Sequence, residues 1–249
     1  MSGHSKWANI VHRKTRQDAK KSKVFAKMSR LITLAARDGG GNVDMNPRLR
    51  LIVDKARAAE MPADNINHAI KRGTGEIEGV NYENAIYEAY GPAGVAMMIE
   101  VLTDNKTRTV ADLRNILRKA GGSMAEAGAV VWMFEQKGIL TIPSDKADYD
   151  ELFMTAVDAG AEDVTEEDGM YEIRTEARAF QQVYDALREM GLEFERAEVT
   201  QLPTATKEVS DEDAPRVLKL LEDIQDNDDV QEVYANFDIS DAVLETLGA

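Results

Sequence analysis

The hydrophobic period of this chain changes at Thr74-Gly75-Glu76, and the change limits what each side can become. Before it, apolar residues recur at helical spacing. Val24, Met28, Leu31 and Ala35 fall on one face, flanked by Phe25 and Ile32. After it, short alternating runs of strand type are interleaved with helical ones. The charge inverts at the same place. Residues 1–75 carry 16 Lys+Arg against 6 Asp+Glu, and the remaining 174 carry 14 against 39. A module of net +10 therefore sits beside a remainder of net −25. So concentrated a positive field in an acidic chain calls for a polyanionic partner, which the acidic remainder repels.

The basic side divides into an arm and three helices. Residues 1–16 show little apolar periodicity and read as a basic arm. A helix is predicted over 17–38, with Lys20, Lys23, Lys27, Arg30 and Arg37 on the side away from the apolar face. Gly39-Gly40-Gly41 stops it. Asn46-Pro47, a cap followed by proline, opens a second helix to about residue 60. Pro62 opens a third, with Ile66 and Ile70 inward and Gly73 past its end. Together they predict a small bundle.

The acidic side predicts strands over 85–90 and 95–102, joined at Gly91-Pro92-Ala93-Gly94. A helix capped by Thr109 and Asp112 and ending at Gly121-Gly122 follows. A third strand is predicted over 129–134, with Trp132 and Phe134 in the core. Next comes a βαββαβ pattern: a strand over 138–143, a helix capped by Asp148 and Glu151, strands over 162–165 and 170–175 around Asp168-Gly169, a helix with Phe180, Val183, Leu187 and Met190 on one face, and a strand over 192–199. Beyond residue 205 stand one helix, capped by Ser210 and Asp213, and one strand over 231–237. These two cannot form a domain alone, and 80–134 lacks a partner helix, so the C-terminal piece is expected to return and complete it. The fold class predicted is α+β in three domains: an N-terminal three-helix bundle and two small ferredoxin-like α/β domains, one inserted in the other. Their limits are 1–78, 79–134 with 205–249, and 135–204.

The segments Gly3-His4-Ser5-Lys6-Trp7-Ala8-Asn9-Ile10, His12-Arg13-Lys14, Gly39-Gly40-Gly41, Asn46-Pro47-Arg48-Leu49, Met61-Pro62-Ala63-Asp64-Asn65-Ile66 and Lys71-Arg72-Gly73-Thr74-Gly75-Glu76 resemble the YebC family. So do Tyr90-Gly91-Pro92-Ala93-Gly94-Val95, Leu102-Thr103-Asp104-Asn105-Lys106-Thr107-Arg108-Thr109 and Trp132-Met133-Phe134. The resemblance covers essentially the whole chain. Val11 departs from it where a basic residue is more usual, as does Val43-Asp44 where Asp-Pro often follows the glycines. It implies a helical N-terminal domain followed by two α/β domains. Bacterial members carry the label of probable DNA-binding transcriptional regulators. Relatives that include the mitochondrial translational activator of cytochrome oxidase subunit I act in translation and associate with ribosomes.

The candidate nucleic-acid-binding residues are Lys6, Trp7, Arg13, Lys14, Arg16, Lys20, Lys21, Lys23, Lys27, Arg30 and Arg37. An ordinary solvated helix face would interleave acids for i,i+4 pairing. Here Asp18 alone opposes the cations of the first 30 residues, which favours a surface that tracks phosphates and binds less as salt rises. Binding is expected to drop sharply when Lys20, Lys23, Lys27 and Arg30 become Glu. Arg48, Arg50, Lys55 and Arg57 have Asp54 and Glu60 nearby and suit plain surface pairing. Trp7 either stacks on an unpaired base or folds back over the bundle. Asn105, Lys106 and Arg108 lie between a strand and a helix N-terminus and read as a capping loop, with a second nucleic-acid contact as the alternative.

No catalytic residue, cofactor or metal is assigned. The chain has no Cys, which removes thiolate metal sites, disulfides and Cys nucleophiles. His4, His12 and His68 are scattered through a basic region. The acidic runs at 162–163, 166–168, 210–213 and 226–229 lack EF-hand spacing and read as turns, caps and solvated surface. No apolar run reaches about 18 residues, and the start lacks the apolar core of a secretory signal, so a cytoplasmic protein without membrane contact is expected. The functional expectation is a non-enzymatic nucleic-acid-binding regulator of gene expression that meets DNA or ribosomal RNA through residues 1–75. Its alternatives are a ribosome-associated translation factor using the same face on ribosomal RNA, and a protein-interaction adaptor working through its acidic domains.

Overall fold

The computed structural model describes residues 21–79 and 81–240. The chain is mixed α+β and divides into two compact units, one formed by 132–206 and the other by the segments on either side of it.

In the flanking unit, α1 (Lys21–Gly39), α2 (Pro47–Ala58) and α3 (Ala63–Gly73) enclose Ile32, Ala35, Leu49, Val53, Ala56, Met61, Ile66 and Ala69. The buried Asn46 makes the corner between α1 and α2. Its Oδ1 accepts the Leu49 N–H at 3.0 Å, and its Nδ2 donates to the carbonyls of Ala35 and Gly40 at 2.9 Å each. One side chain thus caps α2 and occupies two carbonyls at the end of α1. Gly40 has φ +85°, a conformation L side chains resist, and ends α1 as a helix terminator. The Thr33 hydroxyl of α1 donates to Ala69 O of α3 at 3.1 Å.

The same unit holds an antiparallel sheet of β1 (Glu83–Tyr90), β2 (Ala96–Thr103), β3 (Ser123–Met124) and β9 (Val230–Ala235), in the order β3-β1-β2-β9. β1 and β2 are paired with Tyr87 opposite Ile99, and Ile99 faces Val233 of the returning strand. Two helices, α4 (Lys106–Ala120) and α7 (Ala214–Gln225), cover one face, burying Met97, Ile99 and Val101 beneath Leu113, Leu117, Val217, Leu221 and Ile224. A parallel pair, β8 (Lys207–Glu208) with β10 (Phe237–Asp238), begins where the chain re-enters this unit.

The unit 132–206 contains β4 (Phe134–Pro143), α5 (Tyr149–Asp158), β5 (Ala161–Glu167), β6 (Met170–Glu176), α6 (Phe180–Glu189) and β7 (Arg196–Pro203). Its antiparallel sheet runs β5-β6-β4-β7, the strand order of a split βαβ pair. Leu140, Ile142, Val164 and Ile173 of the sheet pack under Leu152 and Ala156 of α5 and Val183 and Leu187 of α6. The sheet of the flanking unit is layered in the same way but connected differently, because its hairpin joins the two central strands.

Several local expectations are corrected. No separate strand spans 129–134. Val131–Met133 form a 3-10 turn, β4 begins at Phe134, and Trp132 is 67% exposed rather than in the core. The buried Glu88 carboxylate accepts the N–H groups of Gly128, Val130 and Val131 and supplies what a neighbouring strand would have supplied. Burial works to raise the Glu88 carboxyl, and the backbone hydrogen bonds from Val130, Gly128, Val131 and Ala129 more than offset it, so its pKa is lowered. α4 starts three residues before Thr109, because Asn105 caps it by accepting the Arg108 N–H at 3.0 Å. The last strand of the inserted unit is 196–203 rather than 192–199, since Leu192 and Phe194 pack onto the helix-covered core before pairing begins. The short β3 had no sequence signature.

Candidate nucleic-acid interface

The basic face of α1 meets this chain's own acidic segment at the end of α7. Lys23 Nζ donates to Asp226 O at 3.2 Å and lies 3.6 Å from its carboxylate. Lys27 Nζ donates to Gln225 O at 3.0 Å. Carbonyls at a helix C-terminus carry the negative end of the helix dipole and lack intrahelical donors, so two ammonium groups are stabilising there. Burial lowers the Lys27 pKa against the opposing pull of Glu232, Asp226 and Asp228. Arg30 goes deepest. Its Nη1 donates to the Asp229 carboxylate at 2.9 Å and to the Asp228 carbonyl, and its guanidinium lies 5.5 Å from the Tyr82 ring centroid. Arg37 donates to Tyr82 O at 2.9 Å.

Asp229 is the centre of this arrangement, and its side chain is 5% exposed. Besides Arg30, it accepts from Arg108 Nη2 at 2.9 Å, Thr109 Oγ1 at 2.7 Å and Thr103 Oγ1 at 3.1 Å. Burial works to raise the carboxyl, and the bonds from Arg108, Thr109 and Thr103 outweigh it, so its pKa lies below the ordinary value. The 226–229 run, expected as solvated surface, therefore ends in a buried anion. The candidate second contact is drawn into the same network. Asn105 is the cap of α4, Lys106 pairs with Glu83, and Arg108 is shared between Asp229 and Asp104 at 2.7 Å. The sequence shows polar and cationic residues in 23–30 and 103–109 and an acidic run at 226–229, but nothing in it pairs these segments or selects Asp229.

Other cations of the bundle point outward. Arg57 pairs with Asp54 at 3.6 Å and Arg48 with Asp38 at 3.3 Å, while Arg50 donates to the carbonyls of Val43 and Asp44. Lys55, Lys71 and Arg72 are exposed and have no acid partner among the described residues. Arg72 and Arg37 line a cavity of about 280 Å³ with Gly73, Gly75 and Tyr82. Lys6, Trp7, Arg13, Lys14, Arg16 and Lys20 lie outside the described residues, as do His4 and His12, and Lys21 is described as backbone only. No cluster of His, Asp and Glu suited to a metal ion occurs among the described residues.

Two family models match. The TACO1/YebC protein N-terminal domain covers residues 5–76, and the TACO1/YebC second and third domain covers 82–237. The chain belongs to the TACO1/YebC family. A TACO1/YebC relative from Thermosipho melanesiensis, named a probable transcriptional regulatory protein, is 55% identical over 100% of this chain and 98% of its own length. One from Persephonella marina with the same name is 50% identical over 98% of this chain and 99% of its own. The crystal structure of a conserved hypothetical protein from Aquifex aeolicus is 40% identical, with a TM-score of 0.80 over 90% of this chain and 93% of that one. No described helix is long and apolar enough to cross a membrane.

Proposed function

We propose that this TACO1/YebC protein is a non-enzymatic, cytoplasmic, nucleic-acid-binding regulator of gene expression that meets its polyanion through residues 1–75. The observation that carries this reading is the segregation of net +10 from net −25 along one chain. The names of its relatives support regulation of transcription. We further propose the domain limits 1–78, 79–134 with 205–249, and 135–204, in keeping with the compact unit 132–206.

Lys23, Lys27 and Arg30 are engaged internally, so first contact falls to the basic arm and to the outward Lys55, Lys71 and Arg72. The test is salt-dependent binding of a labelled DNA duplex and of purified ribosomes by the wild type and by a Lys55→Glu, Lys71→Glu, Arg72→Glu variant. Losing three phosphate contacts is expected to weaken binding at least about tenfold at moderate salt and to flatten the log–log salt slope by about 3. Unchanged binding and slope would overturn the assignment of the face. Preference for ribosomes over duplex would place the protein in translation, through ribosomal RNA, rather than in transcription.

A further inference from the structure

The outer face of α5 carries a concentration of exposed apolar side chains. Tyr149 is 39% exposed, Phe153 37%, Met154 60% and Val157 42%. Tyr149, Phe153 and Val157 follow one another at i,i+4 spacing with Met154 farther round, flanking the face on which Leu152 and Ala156 are fully buried in the core of their unit. The stripe is anchored to the sheet at its start. The Tyr149 hydroxyl donates to Val164 O of β5 at 3.4 Å, and its ring lies 5.9 Å from Phe153 and 5.7 Å from Tyr171. β5 is an edge strand of its sheet.

The sequence around the stripe is strongly acidic. Between residues 144 and 169 stand ten carboxylates and one cation, Lys146, itself 3.3 Å from Asp145, while Lys137 of β4 reaches Glu162 at 2.8 Å. Such a field repels phosphates and anionic lipid surfaces, and a second copy of this face would meet its own charge across a two-fold axis. We propose that α5 is a docking surface for a cationic amphipathic helix, whose apolar side covers Phe153, Met154 and Val157 and whose Lys and Arg residues meet the carboxylates around them. The proposal is independent of nucleic-acid binding by residues 1–75.

The probe is a labelled 18-residue Leu/Lys peptide patterned as an amphipathic helix, measured by anisotropy against the full chain beside a scrambled peptide of the same composition. The patterned peptide is expected to bind at least tenfold tighter, with the Met154 methyl resonance shifting during titration. Met154→Ser, and separately Phe153→Ser, should bring it to the level of the scrambled peptide while circular dichroism is unchanged. Equal binding of both peptides, full retention by Met154→Ser, or a Met154-dependent dimer in sedimentation equilibrium would each overturn the proposal.

Discussion

Asp229 accepts hydrogen bonds from four side chains drawn from α1, the end of β2 and α4. Removing one member of a buried, hydrogen-bonded ion pair strands the others, and the usual cost is about 3–5 kcal/mol. Asp229→Ala is expected to lose about 3 kcal/mol, because Arg108 is half exposed and regains water while Arg30 is not. The pKa of Asp229 is lower folded than unfolded, so its stabilisation is complete above the unfolded value near about 3.9 and is lost as pH falls through the folded one. Urea midpoints from pH 6 downward should therefore show the gap between wild type and Asp229→Ala closing only in the acid range; a gap constant with pH would disprove the ionic origin. Sequence alone could not single out Asp229 from Asp226 and Asp228, because the three differ only in what the fold brings against them. Trp132 teaches the same lesson in reverse. Its alternating neighbours suggested a strand, yet the backbone donors of Gly128, Val130 and Val131 go to Glu88, far off in sequence, and the Trp132 ring stands exposed.

At the scale of elements, caps were legible where one side chain dominated. Asn46 before α2 and Asp148 before α5 both accept the N–H groups their positions implied. The start of α4 was not legible, since Asn105 and Thr109 offered equivalent capping chemistry and only the burial of Thr109 against Asp229 separates them. The closing strand of the inserted unit slipped by four residues because Leu192 and Phe194 serve the core without being paired. Helix contact is equally specific. A Cβ on Gly73, the last residue of α3, would lie 2.4 Å from Thr33 O and 2.7 Å from Ala36 Cβ of α1. Alanine gains about 1 kcal/mol over glycine in a helix interior, but a clash with backbone costs about 1–3 kcal/mol or more. Gly73→Ala is therefore expected to lower stability by up to about 2 kcal/mol, read as a fall in melting temperature; a rise would mean that α1 and α3 separate at no cost.

For the whole molecule, the charge segregation along the chain is partly neutralised within the fold. Lys27 and Arg30 tie the bundle to the end of α7 and to Asp229. Reversing both, as Lys27→Glu and Arg30→Glu, should release this attachment and speed tryptic cleavage after Arg72 several-fold, even where the bundle and sheet each stay folded. An unchanged cleavage rate would mean that apolar contact alone holds them. The sequence by itself determined the helical bundle, the change of period after residue 75, the βαββαβ order of the inserted unit and the family, because each rests on local periodicity, turn chemistry or contiguous motifs. Only the tertiary structure decided which cations remain available to a partner, that Asp229 is buried, and that α5 leaves apolar side chains in water. Those outcomes depend on contacts between residues as far apart as 30 and 229, and such contacts leave no trace in the local pattern of either segment.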